Sequence, residues 1–387
     1  MIIAGGGVQY AQATAELAAF AEAHGVPVVE TIAGRANLLA DHPLNIGPIG
    51  VTGSDSANAI AARADVVLAV GTRLQDFTTG SWTAFAPDAR LIGLNVGRHD
   101  AAKHLSLAVV GDAKLGLAAL GAALADWRAA GAWATQAQDG RRAWDAYVAR
   151  NTAPGNGPAS YAQAIGVVNA LCHPRDRIVT AAGGLPAEVA ANWRTLGLGT
   201  VDVEFGFSCM GYEIAGGWGA RIAQEQVEPE RDTIVFVRDG GYLLMNSDIY
   251  SAALTRKKLI VLVLDNGGFA VINKLQANTG NASFNTLIRD CPTVPEPFAV
   301  DFEAHARAMG ADAETVANAD ELGAAFMRAQ ASDRTCVIVM QVDAHEGWTA
   351  QGHAWWEVGT PQVSDSAAVR DKHAEIEAAR VRQRRGV

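Results

Sequence analysis

Cysteine is scarce in this sequence, with four residues among 387, and no two of them form a CxxC pair. This spacing gives no zinc signature and favours a reducing compartment over a disulfide-stapled fold. Long apolar runs are also missing, since the longest aliphatic run, Leu259 to Leu264, is far shorter than the ~20 residues that span a bilayer. The first residues, MIIAGGG, lack the regions of a signal peptide. We therefore expect a soluble, cytoplasmic protein that does not bind a membrane.

The chain has few charged residues, and its net charge is negative. Charged residues make up 19% of the chain, and the formal net charge is −10. This balance argues against nucleic-acid binding, because phosphate backbones are gripped by Lys and Arg. It does not exclude a local phosphate site built from backbone N–H groups.

Short aliphatic runs alternate with helical patterns in both halves of the chain. Continuous apolar runs separated by helices indicate parallel sheets covered on both faces. We therefore predict an α/β fold with two doubly wound parallel-sheet domains. The predicted segments are a central Rossmann-like domain, a helical linker, a second α/β domain and a helical tail, at residues 1–125, 126–158, 159–363 and 364–387.

A carboxylate and two glycines end a buried strand in FVRDGGY, residues 236–242. Ligands of parallel sheets bind beyond the carboxyl ends of strands, which is where Asp239 lies. Gly240 and Gly241 would let a ligand approach the backbone, and the helical pattern after them suits a phosphate. A carboxylate beside a phosphate requires a cation between them. The segment therefore predicts an oxygen-liganded metal, for which Mg²⁺ is the best match.

The next predicted strand ends in a similar segment, DNGGF at residues 265–269. Asn266 offers an amide oxygen and Gly268 a backbone carbonyl, and adjacent strand ends can bring these groups to one metal. Either segment alone is more simply interpreted as an ordinary turn, because Asp, Asn and Gly are common in turns. Their occurrence on consecutive strands favours a site.

The pair RDGG and DNGG resembles the metal and diphosphate motif of thiamine diphosphate enzymes. The resemblance implies that thiamine diphosphate and Mg²⁺ are cofactors, with the metal on Asp239, Asn266 and Gly268. It also implies that Met210, in GFSCMGYEI, props the cofactor in its bent shape, although Met210 alone is typical core filler. The residues implied to bind the cofactor are Gly183, Gly184, Met210, Gly211, Asp239, Gly240, Gly241, Asn266 and Gly268.

Four segments narrow the resemblance to one branch of that family: AAGGLPAEVAANWRTL, VEFGFSCMGYEI, DNGGFAVINKLQ and GHAWWEV. Enzymes of this branch hydrolyse a carbon–carbon bond of trihydroxycyclohexane-1,2-dione, giving 5-deoxyglucuronate in myo-inositol breakdown. The resemblance covers nearly the whole chain. It implies a central domain, a diphosphate-binding domain and a cyclic polyol diketone as substrate. The alternative is a truncated, non-catalytic α/β protein that binds a nucleotide or a partner chain.

Two positions depart from the family pattern. The family has Gly where this chain has Arg238, whose guanidinium could pair with Asp239 and compete with the metal. It could equally point away or contact the diphosphate, and the sequence leaves both outcomes open. Gly241 replaces a residue that is often Ser or Thr, which removes one possible hydroxyl contact.

No segment resembles the amino-terminal pyrimidine-binding domain of the family. That domain carries the glutamate that activates the cofactor, so we assign no catalytic residue in this chain. We expect a fragment or subunit that is inactive alone. Its expected partners are a pyrimidine-binding domain in trans and further copies of the chain, since the family's active sites lie between two subunits.

Three other patterns carry weaker hypotheses. Gly5, Gly7 and Glu30 partly match a dinucleotide fingerprint, but Tyr10 takes the place of its third glycine. The cluster His345, Trp348, His353, Trp355 and Trp356 could be a lid over the cofactor, although an aromatic cap on the core is the simpler interpretation. Cys209 lies in no nucleophile motif, and we expect it to be buried.

Overall fold

The computed structural model describes residues 1–155, 159–292, 298–343, 349 and 354–384. These residues form two six-stranded sheets, in which neighbouring strands are parallel. The strands are β1 Ile2–Ala4, β2 Val28–Glu30, β3 Asn45–Pro48, β4 Val66–Val70, β5 Arg90–Asn95, β6 Leu107–Val110, β7 Arg177–Thr180, β8 Val201–Val203, β9 Thr233–Arg238, β10 Ile260–Asp265, β11 Asp312–Val316 and β12 Cys336–Gln341. The helices are α1 Gly7–Tyr10, α2 Thr14–His24, α3 Asp55–Ala61, α4 Asp76–Thr79, α5 Arg98–Ala102, α6 Ala113–Leu124, α7 Gly131–Asn151, α8 Tyr161–Leu171, α9 Gly184–Asn192, α10 Tyr212–Gln224, α11 Asp239–Leu244, α12 Ser247–Leu254, α13 Ala270–Asn278, α14 Phe302–Ala308, α15 Ala319–Ala331 and α16 Ala367–Arg380.

The first sheet has the strand order β3-β2-β1-β4-β5-β6. This is the order of dinucleotide-binding folds. Separate apolar clusters pack on its two faces, one around Ile3 and Val67 and the other around Ile2 and Leu17. A sheet covered on both faces explains why these strands are apolar throughout rather than alternating.

The second sheet has the order β11-β12-β10-β9-β7-β8. Every residue of β9 is buried, and Arg238 at its end is level with Leu264 of β10. The chain runs from β7 outward to β8, but from β9 in the other direction to β10. The boundary between β7 and β9 is therefore a switch in strand order, and crevices at such switches are where open α/β sheets bind ligands.

The predicted fold class is confirmed, because the structure has two parallel sheets with helices on both faces. Two strands lack the aliphatic runs on which the prediction of strands rests. In β3, the sequence NIGP contains Gly and Pro, which are rare in strands. In β11, the sequence DAETV is polar because this strand lies at the edge of the sheet.

The tail forms helix α16, as its pattern predicts, and this helix is attached to the rest of the chain. Val369 and Ala379 are buried, and Gly280 packs directly on the backbone of Ala368. Further along, the Arg384 guanidinium donates to the Ala89 carbonyl oxygen at 2.7 Å, which ties the tail to the first sheet. Across the described ranges, no helix has both the length and the apolar character needed to cross a membrane.

Candidate functional site

The carboxyl ends of β9 and β10 bring Asp239, Asn266 and Gly268 together. The Gly268 N–H donates to Asp239 Oδ2 at 2.6 Å. One arm of the Asn266 amide lies 3.2 Å from Asp239 Oδ1 and 2.8 Å from the Gly268 carbonyl oxygen. Gly268 has a φ of 136°, and its missing side chain leaves room for the Thr286 backbone. The three predicted metal ligands therefore meet at one point.

The Asn266 amide can take two orientations at this point. With its nitrogen toward Asp239 and Gly268, it makes hydrogen bonds to both and needs no cation. With its oxygen there, three oxygens converge without a hydrogen between them, and only a cation would hold them together. A carboxylate, an amide oxygen and a backbone carbonyl are ligands of a hard cation such as Mg²⁺. The residues present thus fit a divalent metal in the second orientation. Within the part of the chain that the structure describes, His, Cys, Asp and Glu form no cluster of three that could hold a metal.

The surroundings of Asp239 favour a cation. Burial raises the pKa of its carboxyl to about 6, and the nearby charge of Asp265 acts in the same direction. Hydrogen bonds from the Gly240 and Gly268 N–H groups and the charge of Arg238 act against this rise. A bound cation would offset the cost of keeping the buried carboxylate charged.

Tyr161 is a site residue that the sequence did not reveal. Its hydroxyl lies 2.6 Å from the Asn266 amide, on the arm that points away from Asp239. The side chain is fully buried, and burial raises the pKa of the phenol above its ordinary value. The only sequence signal is indirect: Ser160 and Gln163 form a capping box that fixes the start of α8. The contact of Tyr161 with Asn266, 105 positions later, depends on the tertiary fold.

A cavity of about 800 Å³ lies beside these ligands, between the two sheets and α16. Three of the predicted cofactor residues, Gly183, Gly184 and Met210, lie on its wall, whereas the metal ligands, Gly211, Gly240 and Gly241 do not. The space above Gly240 is filled by the Phe269 ring and the Met210 side chain. Protein side chains therefore occupy the space next to Gly240 in this structure, where we expected a ligand to approach the backbone. The cavity volume is in the usual range for small-molecule sites.

Arg238 is directed into the cavity and not toward Asp239. Its Nη2 donates to the Ala182 carbonyl oxygen at 3.2 Å. Among the described residues, Arg238 has no carboxylate within ion-pair distance, and its Nε and Nη1 have no hydrogen-bond partner. Of the two outcomes left open by the sequence, direct pairing with Asp239 is not the one observed.

A buried carboxyl on α9 was also missed by sequence reasoning. Glu188 accepts a hydrogen bond from the Thr349 N–H at 2.9 Å, and its other oxygen contacts the Thr349 hydroxyl and the Asn192 amide. Burial raises the pKa of Glu188 to about 7, although these hydrogen bonds and the charge of Lys274 oppose the rise. A Glu in the helical run LPAEVAANW gives no sign of this environment, because its burial depends on a residue 161 positions away.

The residues of the partial dinucleotide fingerprint make contacts within the protein. Gly5 and Gly7 pack closely on Gly71, which accounts for their missing side chains without a ligand. Glu30 is fully buried and forms an ion pair with Arg35, and it also accepts the backbone N–H groups of residues 37 and 38. Its oxygens are thus occupied where a ribose would require them.

The remaining hypotheses have mixed outcomes. Cys209 is exposed and not buried as expected, because it lies on a loop held by Glu204, which accepts the Cys209 N–H at 2.6 Å. Trp355 and Trp356 line the cavity, and the Trp356 indole donates to Asp76 at 2.8 Å. The other members of that cluster, His345, Trp348 and His353, lie outside the described residues.

Comparison with known proteins identifies the family of both α/β halves. The central domain of the thiamine pyrophosphate enzymes matches residues 1–120, and the C-terminal TPP binding domain of the same enzymes matches residues 181–340. The chain belongs to the thiamine pyrophosphate enzyme family. The second match contains all nine residues that the motifs predict to bind the cofactor. The resemblance seen in RDGG and DNGG is thereby confirmed at the level of the family.

The chain is also similar to proteins named 3D-(3,5/4)-trihydroxycyclohexane-1,2-dione hydrolase. It is 32% identical to that of Geobacillus thermodenitrificans (strain NG80-2), over 98% of this chain and 63% of the relative. It is 33% identical to hydrolase 1 of a Bacillus cereus strain, over 95% of this chain and 61% of the relative. The chain therefore spans about three fifths of the length of these curated relatives.

Proposed function

We propose that this chain forms the central and cofactor-binding part of a thiamine diphosphate- and Mg²⁺-dependent hydrolase. Its substrate would be a cyclic 1,2-diketone of the trihydroxycyclohexane-1,2-dione type, and its reaction the hydrolysis of a carbon–carbon bond in inositol catabolism. The family and the named relatives support this class of reaction.

The observation that carries the proposal is the convergence of Asp239, Asn266 and Gly268 at the ends of two neighbouring strands. These residues come from segments 27 positions apart (266 − 239), and in one of the two orientations of the Asn266 amide each offers an oxygen to the same point. In that orientation no hydrogen lies between the three oxygens, so it is the one that a bound cation would stabilise.

Each residue has a distinct role in this proposal. When bound, thiamine diphosphate supplies a nucleophilic carbon for cleaving the bond next to a ketone. Asp239, Asn266 and the Gly268 carbonyl would hold Mg²⁺ and so fix the diphosphate end. Tyr161 would hold the outer arm of the Asn266 amide. Met210 and the aromatic residues on the cavity wall would position the ring system and limit the access of water.

The proposal includes a pyrimidine-binding domain, on the same chain or on a partner, as the source of the activating glutamate. It also includes a homo-oligomer, because active sites in this family form between subunits. We further propose a cytoplasmic location, which is supported by the four cysteines, all of them free thiols.

Replacing Asp239 tests the metal site directly. In a calorimetric titration, the protein should bind thiamine diphosphate in the presence of Mg²⁺. Asp239→Ala and the isosteric Asp239→Asn should abolish the Mg²⁺-dependent part of this binding, because each removes the only charged ligand. Asp248→Asn, on α12 outside the ligand set, is the matched control and should bind as the unmodified protein does. Unchanged affinity in both Asp239 variants would contradict the assignment.

A further inference from the structure

Arg238 has an unusual environment for a charged side chain. Only 2% of its surface is exposed, and it is among the largest fully buried side chains. One nitrogen donates to the Ala182 carbonyl oxygen at 3.2 Å, while Nε and Nη1 have no partner within the described part of the chain. Unpaired N–H groups of a buried charge are costly, so this arrangement requires compensation.

The guanidinium also lies against the amino-terminal end of α9. Gly183 is the N-cap residue, with φ 90° and ψ −154°, and no side chain caps the first turn. A Cβ on Gly183 would overlap the guanidinium, which shows how closely the two groups approach. A helix amino terminus carries partial positive charge, so a cation there adds a second unfavourable contribution.

Arg238, Gly183 and Gly184 line the same cavity, and Lys274 lies on its wall as well. Gly183 and Gly184 follow β7, and Arg238 ends β9, so these three residues stand at the switch in strand order between the two strands. A multivalent oxyanion in this part of the cavity would pair with the guanidinium group of Arg238. It would also accept hydrogen bonds from the uncapped N–H groups of α9. It would relieve both unfavourable contributions at once.

We propose that Arg238 binds the diphosphate of the cofactor directly, together with the amino terminus of α9. This inference rests on the proposed function for the identity of the ligand. Arg238 supplies a fixed positive charge beside the metal ligands, where the family has glycine. Diphosphate binding by this protein is therefore less dependent on Mg²⁺ than a site with Asp239, Asn266 and Gly268 alone would be.

The test is a calorimetric titration with inorganic pyrophosphate in EDTA. We expect measurable binding by the unmodified protein, and at least a tenfold loss of affinity in Arg238→Gln. Arg238→Lys should fall between them, because it keeps the charge but loses the fork. Arg256→Gln removes the same charge from an exposed turn before the opposite end of β10 and should have no effect. Melting curves without ligand, with pyrophosphate and with sulfate check the folding of each variant and give a second measure of binding.

The possible results separate this inference from the proposed function. The role of Arg238 would be overturned if Arg238→Gln bound pyrophosphate in EDTA as tightly as the unmodified protein, or more tightly. It would also be overturned if the unmodified protein did not bind pyrophosphate in EDTA. If thiamine diphosphate still binds with Mg²⁺ in those cases, the proposed function stands. If thiamine diphosphate with Mg²⁺ binds no more tightly than pyrophosphate, the anion site stands and the proposed cofactor is wrong. Should Arg238→Gln not fold, the comparison of Arg238→Lys with the unmodified protein decides the matter.

Discussion

At the scale of single residues, Arg238 and Asp239 are neighbours in sequence whose side chains face different parts of the site. Asp239 faces Asn266 and Gly268, whereas Arg238 faces Ala182 and the start of α9. The sequence showed that a cation and a carboxylate were adjacent, and it allowed them either to pair or to separate. The outcome depends on the direction of each side chain where β9 ends and α11 begins, which residue types alone do not determine.

The contact between Tyr161 and Asn266 leads to a prediction for the metal site. Tyr161→Phe removes the group that satisfies the outer arm of the buried Asn266 amide. The hydroxyl can donate or accept, so both orientations of the amide lose a partner, but the metal-binding one leaves a buried NH₂ group without an acceptor, which costs more than a carbonyl oxygen without a donor. The orientation that makes hydrogen bonds to Asp239 and Gly268 without a cation should therefore gain. We expect the Mg²⁺ concentration needed for half-maximal cofactor binding to rise roughly 5- to 30-fold, since an unsatisfied buried group costs about 1–2 kcal/mol.

The measurement is a Mg²⁺ titration at fixed thiamine diphosphate, followed by calorimetry or protein fluorescence. Tyr147→Phe, on α7, is a matched control, because it removes a hydroxyl of the same kind away from the site. An unchanged Mg²⁺ midpoint in Tyr161→Phe would show that Tyr161 does not orient the ligand.

At the scale of secondary structure elements, the sequence predicted the central strands best. Both β9 and β10 are continuous apolar runs ending in Asp, Asn and Gly, so their type and their carboxyl ends were readable. The edge strand β11 and the Gly- and Pro-containing β3 were not, because their pairing comes from neighbours and not from local preference. The position of α9 relative to Arg238 was equally unreadable, since it depends on β7 lying next to β9.

Glu188 connects α9 to Thr349 and leads to a prediction about pH and stability. Its pKa rises on folding from an ordinary 4.5 to about 7, mainly through burial. The folded protein therefore holds this proton over a range in which the unfolded chain releases it. Stability from this group is present at low pH and is lost as the pH rises from about 4.5 to about 7, by up to roughly 3 kcal/mol.

Glu188→Gln should remove this loss, because the amide stays neutral and can still pair with Thr349. The measurement is urea unfolding at pH 5 and pH 8. The fall in free energy of unfolding between these values should be smaller in Glu188→Gln than in the unmodified protein. Glu230→Gln, which changes an exposed carboxylate before β9 that pairs with Arg175 and Arg231, should leave the fall unchanged. Parallel pH profiles for Glu188→Gln and the unmodified protein would contradict the prediction.

At the scale of the whole molecule, the cavity depends on how the two sheets and the tail meet. Val51 and Phe77 reach it from the first domain, Met210 and Lys274 from the second domain, and Ile376 from α16. The sequence predicted two α/β domains and a helical tail, but it did not predict that residues from all three would line one cavity. Such assembly follows from long-range packing, for which local pattern holds no information.

We expect the chain on its own to bind the cofactor but not to turn over the substrate. The 387-residue chain alone should bind thiamine diphosphate with Mg²⁺ and yet leave trihydroxycyclohexane-1,2-dione unchanged. Asp239 is a metal ligand in the proposal, and Asp265 lies close enough to raise its pKa, so both belong to the end of the site that would hold the diphosphate. Activation of the cofactor needs a carboxylic acid at its other end, and in this family that glutamate belongs to the pyrimidine-binding domain.

Adding a pyrimidine-binding domain from one of the relatives should therefore restore turnover, measured as loss of the dione. The same domain with its activating glutamate replaced by glutamine should not, which controls for simple stabilisation of the chain. Turnover by the chain alone, lost in Asp239→Ala, would mean that an acid within these residues does the work. Glu188 would then be the residue to test, because burial raises its pKa to about 7 and α9 places it next to Ala187 on the cavity wall. Loss of that turnover in Glu188→Gln, with cofactor affinity preserved, would move the activating acid from a partner domain into this chain.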